Sequence, residues 1–191
     1  MEYKGDIYYI GEVLKGKSNA YSHIVERHKD NVFNLAFRIC GNREEAEEVA
    51  QDSFLKAYRS LNGFRMKSRF STWLYRIVYN TSISYLRSKK RGMISIDEYP
   101  ATVKDFIAPG TPEEEAESKY RESLVNFALQ KMSDDERALV TLYYYDELSS
   151  DEISEIMQIS KSNIKVRLFR ARKRICEIIE KTEKNNLVCH E

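Results

Sequence analysis

Residues 64–91 read FRMKSRFSTWLYRIVYNTSISYLRSKKR and gather Arg65, Lys67, Arg69, Arg76, Arg87, Lys89, Lys90 and Arg91 without an acidic residue. The same stretch holds the chain's one tryptophan, Trp73, with Tyr75, Tyr79 and Tyr85. Cations neutralise phosphates, and aromatic faces stack on bases that have left a duplex, so these residue types offer nucleic-acid binding. Spacing separates their roles. Phe70, Trp73, Leu74, Ile77 and Val78 recur at helical intervals and mark a buried face, which assigns Trp73 to a core. Arg76, Asn80, Ser84, Arg87 and Arg91 step by three or four residues and form a second stripe on the same helix. An ordinary solvated face mixes both signs of charge, and this stripe does not.

A second basic segment lies at 161–174, with Lys161, Lys165, Arg167, Arg170, Arg172, Lys173 and Arg174 and again no acid. Its context gives it a shape. Ser149-Ser150-Asp151-Glu152 is a capping box that opens a short helix with Ile153, Ile156 and Met157 on one face. Gln158-Ile159-Ser160 makes a tight connection, and Ser160 caps a longer helix with Ile164, Leu168, Ala171, Ile175 and Ile178 inward. Short helix, tight turn and basic longer helix is the helix-turn-helix pattern of DNA recognition.

The elements that must position these surfaces follow from periodicity. An amphipathic helix is expected over 6–15 and a longer one over 20–40, broken at Gly41-Asn42. The next, 43–61, buries Ala46, Val49, Ala50, Phe54, Ala57, Tyr58 and Leu61 and shows Glu44, Glu48, Gln51, Asp52 and Arg59 on its other face. That face fits a solvated surface and a partner surface equally. Residues 92–112 lose periodicity and carry Pro100, Pro109, Gly110 and Pro112 with Asp97, Glu98 and Asp105, which reads as an extended acidic linker. Helical periodicity resumes at 113–132, and Ser133 with Glu136 forms another capping box before a helix that ends near Asp146.

Composition bounds the rest. The chain has 191 residues, with Lys+Arg 31 against Asp+Glu 30, so net charge by itself selects no partner. Its distribution does, because two basic patches are separated by acidic segments. Seven glycines and three prolines leave little punctuation for a many-stranded fold, and the long helical periods indicate an all-α protein. Cys40, Cys176 and Cys189 form no CxxC spacing, which suits a reducing compartment. The N-terminal residues have no long apolar run and no segment approaches a membrane span, so no signal peptide and a cytoplasmic location are expected. His23 and His28 are expected at the surface without a partner carboxylate, and no metal or cofactor is anticipated.

Three stretches together resemble a known family. AEEVAQDSFLKAYRSL (46–61) is similar to region 2.2 of sigma factors of the extracytoplasmic-function branch of the sigma-70 superfamily. FSTWLYRIVYN (70–80), with Phe64-Arg65 before it, resembles regions 2.3 and 2.4, and LSSDEISEIMQISKSNIKVRLFRAR (148–172) resembles region 4.2. The resemblance covers nearly the whole chain in family order. It implies two small helical domains, a region 2 bundle at 1–91 and a region 4 helix-turn-helix domain at 113–182, joined by the linker at 92–112 and followed by a tail at 183–191. The implied function is promoter-specific initiation: −35 recognition and −10 melting on behalf of core RNA polymerase, without catalysis of its own.

The resemblance also implies site residues. Glu48, Gln51 and Asp52 would dock on the clamp coiled coil of the β′ subunit, with the β subunit also contacted. The loop at 64–69, with Phe64, Arg65, Lys67 and Arg69, would hold a base flipped from the −10 element, Asn80 walling its pocket. Arg76, Ser84, Arg87 and Arg91 would lie along the duplex edge. Ser162, Asn163, Lys165 and Val166 would approach the −35 bases, while Arg167, Arg170 and Lys173 grip phosphates. Promoter DNA and an anti-sigma factor are the further implied partners, with no membrane insertion. The chain departs from the family pattern at Ser162-Asn163, where Gly-Thr is frequent, at Val166, where a small hydroxyl is frequent, and at Ser133, where Pro is common. Two other readings stand beside this one. A stand-alone helix-turn-helix regulator would bind duplex DNA without polymerase, and a nuclease would use carboxylates such as Glu44, Glu48 and Asp52 around a metal.

Overall fold

The structure is a computed structural model that describes residues 5–92 and 113–188, with side chains over 5–91 and 120–184. The expected linker at 92–112 lies almost wholly outside the described residues. The described elements are helical: α1 (Asp6–Leu14), α2 (Tyr21–Cys40), α3 (Arg43–Ser60), α4 (Phe70–Gly92), α5 (Glu113–Gln130), α6 (Asp134–Val140), α7 (Ser150–Met157) and α8 (Lys161–Val188).

Helix ends follow the local chemistry. Gly41 closes α2 in the left-handed region at φ 76° and donates its N–H to the Phe37 carbonyl. The Asn42 side chain then accepts from the Glu45 N–H and starts α3. Both anticipated capping boxes form, with Ser133 and Glu136 opening α6 and Ser149 and Glu152 opening α7. Beyond Val140 the helix widens into a π turn over Thr141–Tyr145, where the Thr141 hydroxyl bonds back to the Arg137 carbonyl.

The apolar stripes of α1 to α4 enclose Ile24, Val32, Leu35, Ile39, Val49, Leu61, Leu74 and Val78, all but sealed from solvent. Full burial of such side chains contributes roughly 1.5–3 kcal/mol each. This core does not stop at α4. Leu139, Leu142, Ile153, Ile156, Ile164 and Leu168 from the second half of the chain join the same cluster, while Leu129, Met132, Val140 and Ala171 form a smaller one beneath α5 and α8.

Two sequence expectations need correction. His28 is buried, its ring tilted against Phe70 and its Nε2 3.1 Å from Asp6, a partner carboxylate supplied by α1 that spacing within α2 does not show. Asp6 also pairs with Arg27, so one carboxylate anchors α1 across two residues of α2. Tyr58, placed in the α3 core stripe by its spacing, is instead 42% exposed and lies edge-on to Tyr21.

Candidate nucleic-acid interface

Helix α4 sorts its side chains by face. Phe70, Leu74 and Val78 are buried in the shared core, and Trp73 packs beside them against Phe64 and Phe70 with ring centroids 5.4 and 5.5 Å away. Trp73 is thus a packing residue, as its spacing indicates. Arg76, Asn80, Ser84, Arg87 and Arg91 are all exposed along one side. Arg87 and Arg91 sit one turn apart, with Arg91 donating to the Arg87 carbonyl. From Arg76 to Arg91, at 1.5 Å per residue, the stripe tracks roughly 20–25 Å of surface.

The loop before α4 carries two kinds of residue. Arg65, Lys67 and Arg69 are exposed, and Met66 turns the chain at φ 55°, an uncommon conformation for a residue with a side chain. Phe64, by contrast, is buried edge-on to Phe70 at 5.5 Å. Its ring is committed to packing, so it pins the loop's start and is not offered to a base.

On α3, Glu48 and Gln51 are exposed, and Asp52 pairs with Lys56 at 2.7 Å. Sequence reasoning missed Leu55, an apolar side chain 54% exposed, four residues beyond Gln51 and three beyond Asp52 on that polar face. The available signal was an apolar residue off the core stripe. A carboxylate, an amide and an uncovered leucine on one face suit protein docking better than anion binding.

Helix α8 begins after a turn fixed by Gln158 in the left-handed region and by the Ser154 hydroxyl bonding to the Ile159 carbonyl at 2.6 Å. Ser160 caps it by accepting from the Asn163 N–H. Ile164, Leu168 and Ala171 are buried, leaving Ser162, Asn163, Lys165, Val166, Arg170 and Lys173 outward and Arg167 half-buried. The Arg167 Nε donates to Asn163 Oδ1 at 3.1 Å, so these two side chains are oriented together. Phe169 was also missed. It is 68% exposed between cations, next to exposed Val166, and apolar side chains at such positions suit thymine methyl groups.

Among the described residues no group of three or more His, Cys, Asp or Glu side chains could hold a metal ion. Burial pushes the Cys40 thiol up to about 12, away from the thiolate that ligation or nucleophilic attack would need. No helix among the described residues is long and apolar enough to cross a membrane.

Residues 24–92 match the family model described as Sigma-70 region 2, and residues 124–175 match Sigma-70, region 4. The chain is 36% identical over 169 residues to the ECF RNA polymerase sigma factor SigW of Bacillus subtilis, covering 85% of this chain and 90% of that one. In fold it is similar to CnrH in its complex with the cytosolic domain of CnrY, with a TM-score of 0.66, 19% identity and coverage of 92% of this chain and 97% of that one. It is likewise similar to the sigma factor RpoE of Bartonella quintana in complex with the anti-sigma factor NepR, with a TM-score of 0.63, 23% identity and coverage of 84% and 96%.

Proposed function

This chain belongs to the extracytoplasmic-function branch of the sigma-70 family, and on that premise we propose how its surfaces share the work of initiation. It is a promoter-specificity subunit that directs core RNA polymerase to promoter DNA. In our reading residues 1–91 serve core binding and the −10 element, 92–112 link the two halves, and 113–182 serve the −35 element. The observation that carries the assignment is the exposed, uncompensated stripe Arg76, Asn80, Ser84, Arg87 and Arg91 beside the cationic loop 64–69.

Arg76, Arg87 and Arg91 hold phosphates at the upstream edge of the melting region, and Arg65, Lys67 and Arg69 draw the strand toward the loop. Asn80 offers an amide to a base that has left the stack. Extrusion costs a few kcal/mol, which a closed pocket and its hydrogen bonds must offset. Phe64 supports that loop from beneath. On α8, Ser162, Asn163, Lys165 and Val166 face the −35 bases, while Arg167, Arg170 and Lys173 hold the backbone. Glu48, Gln51 and Asp52, with Leu55, form the docking face for the β′ clamp, and the second half engages the β subunit. Nothing in this scheme requires catalysis or a cofactor. The protein works where the chromosome is, in the cytoplasm, and an anti-sigma factor is a fitting regulator because a neighbour in fold is held by one.

The test is Asn80→Ala in reconstituted holoenzyme, with permanganate reactivity of −10 thymines as readout. Core binding should persist while melting falls at least tenfold. Equal loss of core binding and melting would make Asn80 a structural residue and remove it from the assignment.

A further inference from the structure

Asp146 follows the π turn and stands on the seam where the two halves share their core, and no step of the promoter scheme uses it. Its N–H donates to the Thr141 carbonyl, which fixes the backbone, while its Oδ2 is sealed from solvent without a hydrogen-bond partner. Arg38 of α2 and Tyr75 of α4 face it from the first half. The Arg38 guanidinium is seated 3.6 Å over the Tyr145 ring and not on the carboxylate. The charged side chains of the other elements packed on the turn are engaged elsewhere. On α6, Asp134 meets Lys90, Asp135 meets Tyr79, Glu136 meets Arg174, and Arg137 binds backbone carbonyls. On α7, Asp151 meets Lys161, Glu152 accepts from Ser149, and Glu155 is exposed. Glu147, next along the chain, is exposed as well. Sealing an unpartnered carboxyl from water costs far more for the anion than for the neutral acid.

We propose that Asp146 is a proton switch on this seam: as the neutral acid it keeps the two halves together, and its ionisation favours their parting. Parting removes the first-half side chains that cover the carboxyl and returns it to water. Burial pushes the carboxyl up to about 6 from 3.8, partly countered by Arg38, and the Tyr75 hydroxyl is raised by burial and then by Asp146. The closed chain therefore holds the proton more tightly than the parted one. The stabilisation of the closed form is fully present below about pH 4 and is lost as pH rises through about 6. With those two values the ratio of closed to parted chains falls roughly tenfold from about pH 5 to about pH 7.5. Acid is thus a restraint, since it keeps the two basic helices from working on separate DNA elements. That consequence rests on the promoter reading above, whereas the switch itself does not.

Single-molecule energy transfer on the free full-length chain, with neither polymerase nor DNA, tests the switch. Cys176 on α8 is exposed and takes one dye, and Glu44→Cys at the start of α3 takes the other. Cys40 is buried, and Cys189→Ser removes the remaining thiol. With Asp146 in place, the ratio of high-transfer to low-transfer molecules should fall roughly tenfold between about pH 5 and about pH 7.5, with helix content by circular dichroism unchanged. With Asp146→Asn added, an uncharged side chain of the same shape, the ratio should stay constant over that range. A low-transfer population that is absent, or constant in the presence of Asp146, overturns the proposal. So does an equal shift with Asp146→Asn, which would assign the titration to another group.

Discussion

Lys165 stands exposed on the second turn of α8, and Arg170 and Lys173 follow on outward positions. Lys165→Ala should weaken −35 binding by roughly 1–3 kcal/mol if it reaches a base, with the loss concentrated at one promoter position. Arg170→Ala should instead weaken all promoters alike and reduce the salt slope by about 1, as loss of a phosphate contact does. Binding titrations across salt and across single-base promoter variants separate the two. Asp146 gives a prediction in pH. Burial pushes its carboxyl up to about 6 from 3.8, partly countered by Arg38. The folded chain therefore holds this proton more tightly than the unfolded chain, and stability falls as pH rises through the window between those values. Asp146→Asn should raise the melting temperature at about pH 7.5 and leave it near the wild-type value at about pH 4. Equal shifts at both would assign the effect to packing. At this scale the exposed cations were legible because stripes of one sign have a spacing, whereas the committed ring of Phe64 and the Asp6–His28 pair arise from contacts between elements that no local pattern records.

The helices themselves owe most to their ends. Ser149 and Glu152 satisfy orphan N–H groups at the start of a helix of only 8 residues, so Ser149→Ala should cost about 1 kcal/mol. In a chain of this size that lowers the melting temperature by roughly 2–4 °C. Gly41 is constrained twice, by φ 76° and by the Gln130 side chain, whose Nε2 would lie 2.5 Å from an added Cβ. Gly41→Ala should destabilise by at least about 1 kcal/mol, measurable as a lower denaturation midpoint with unchanged slope. Capping boxes, the Gly41-Asn42 break and the helix-turn-helix boundaries could all be read from sequence because they are local hydrogen-bond grammar. The π turn at Thr141–Tyr145 could not, since the spacing of Leu139, Leu142 and Tyr143 reads as an uninterrupted helix. Gln158 likewise takes a left-handed turn position without the glycine or asparagine that usually announces one.

For the whole molecule, the two basic helices and their order along the chain were legible, and the seam that brings them together was not. Hydrophobic periodicity tells which face of a helix is buried but not against what, and Leu139, Leu142 and Ile153 read equally well as the core of an isolated second domain. In our reading these two helices serve one act, the selection and opening of promoters by core polymerase. Run-off transcription with purified core RNA polymerase and a randomised promoter library tests it most directly. Transcripts should depend on this protein and come from templates enriched in two motifs at fixed spacing. Tight binding to duplex DNA without polymerase, and no protein-dependent transcript, would contradict it and favour a stand-alone regulator.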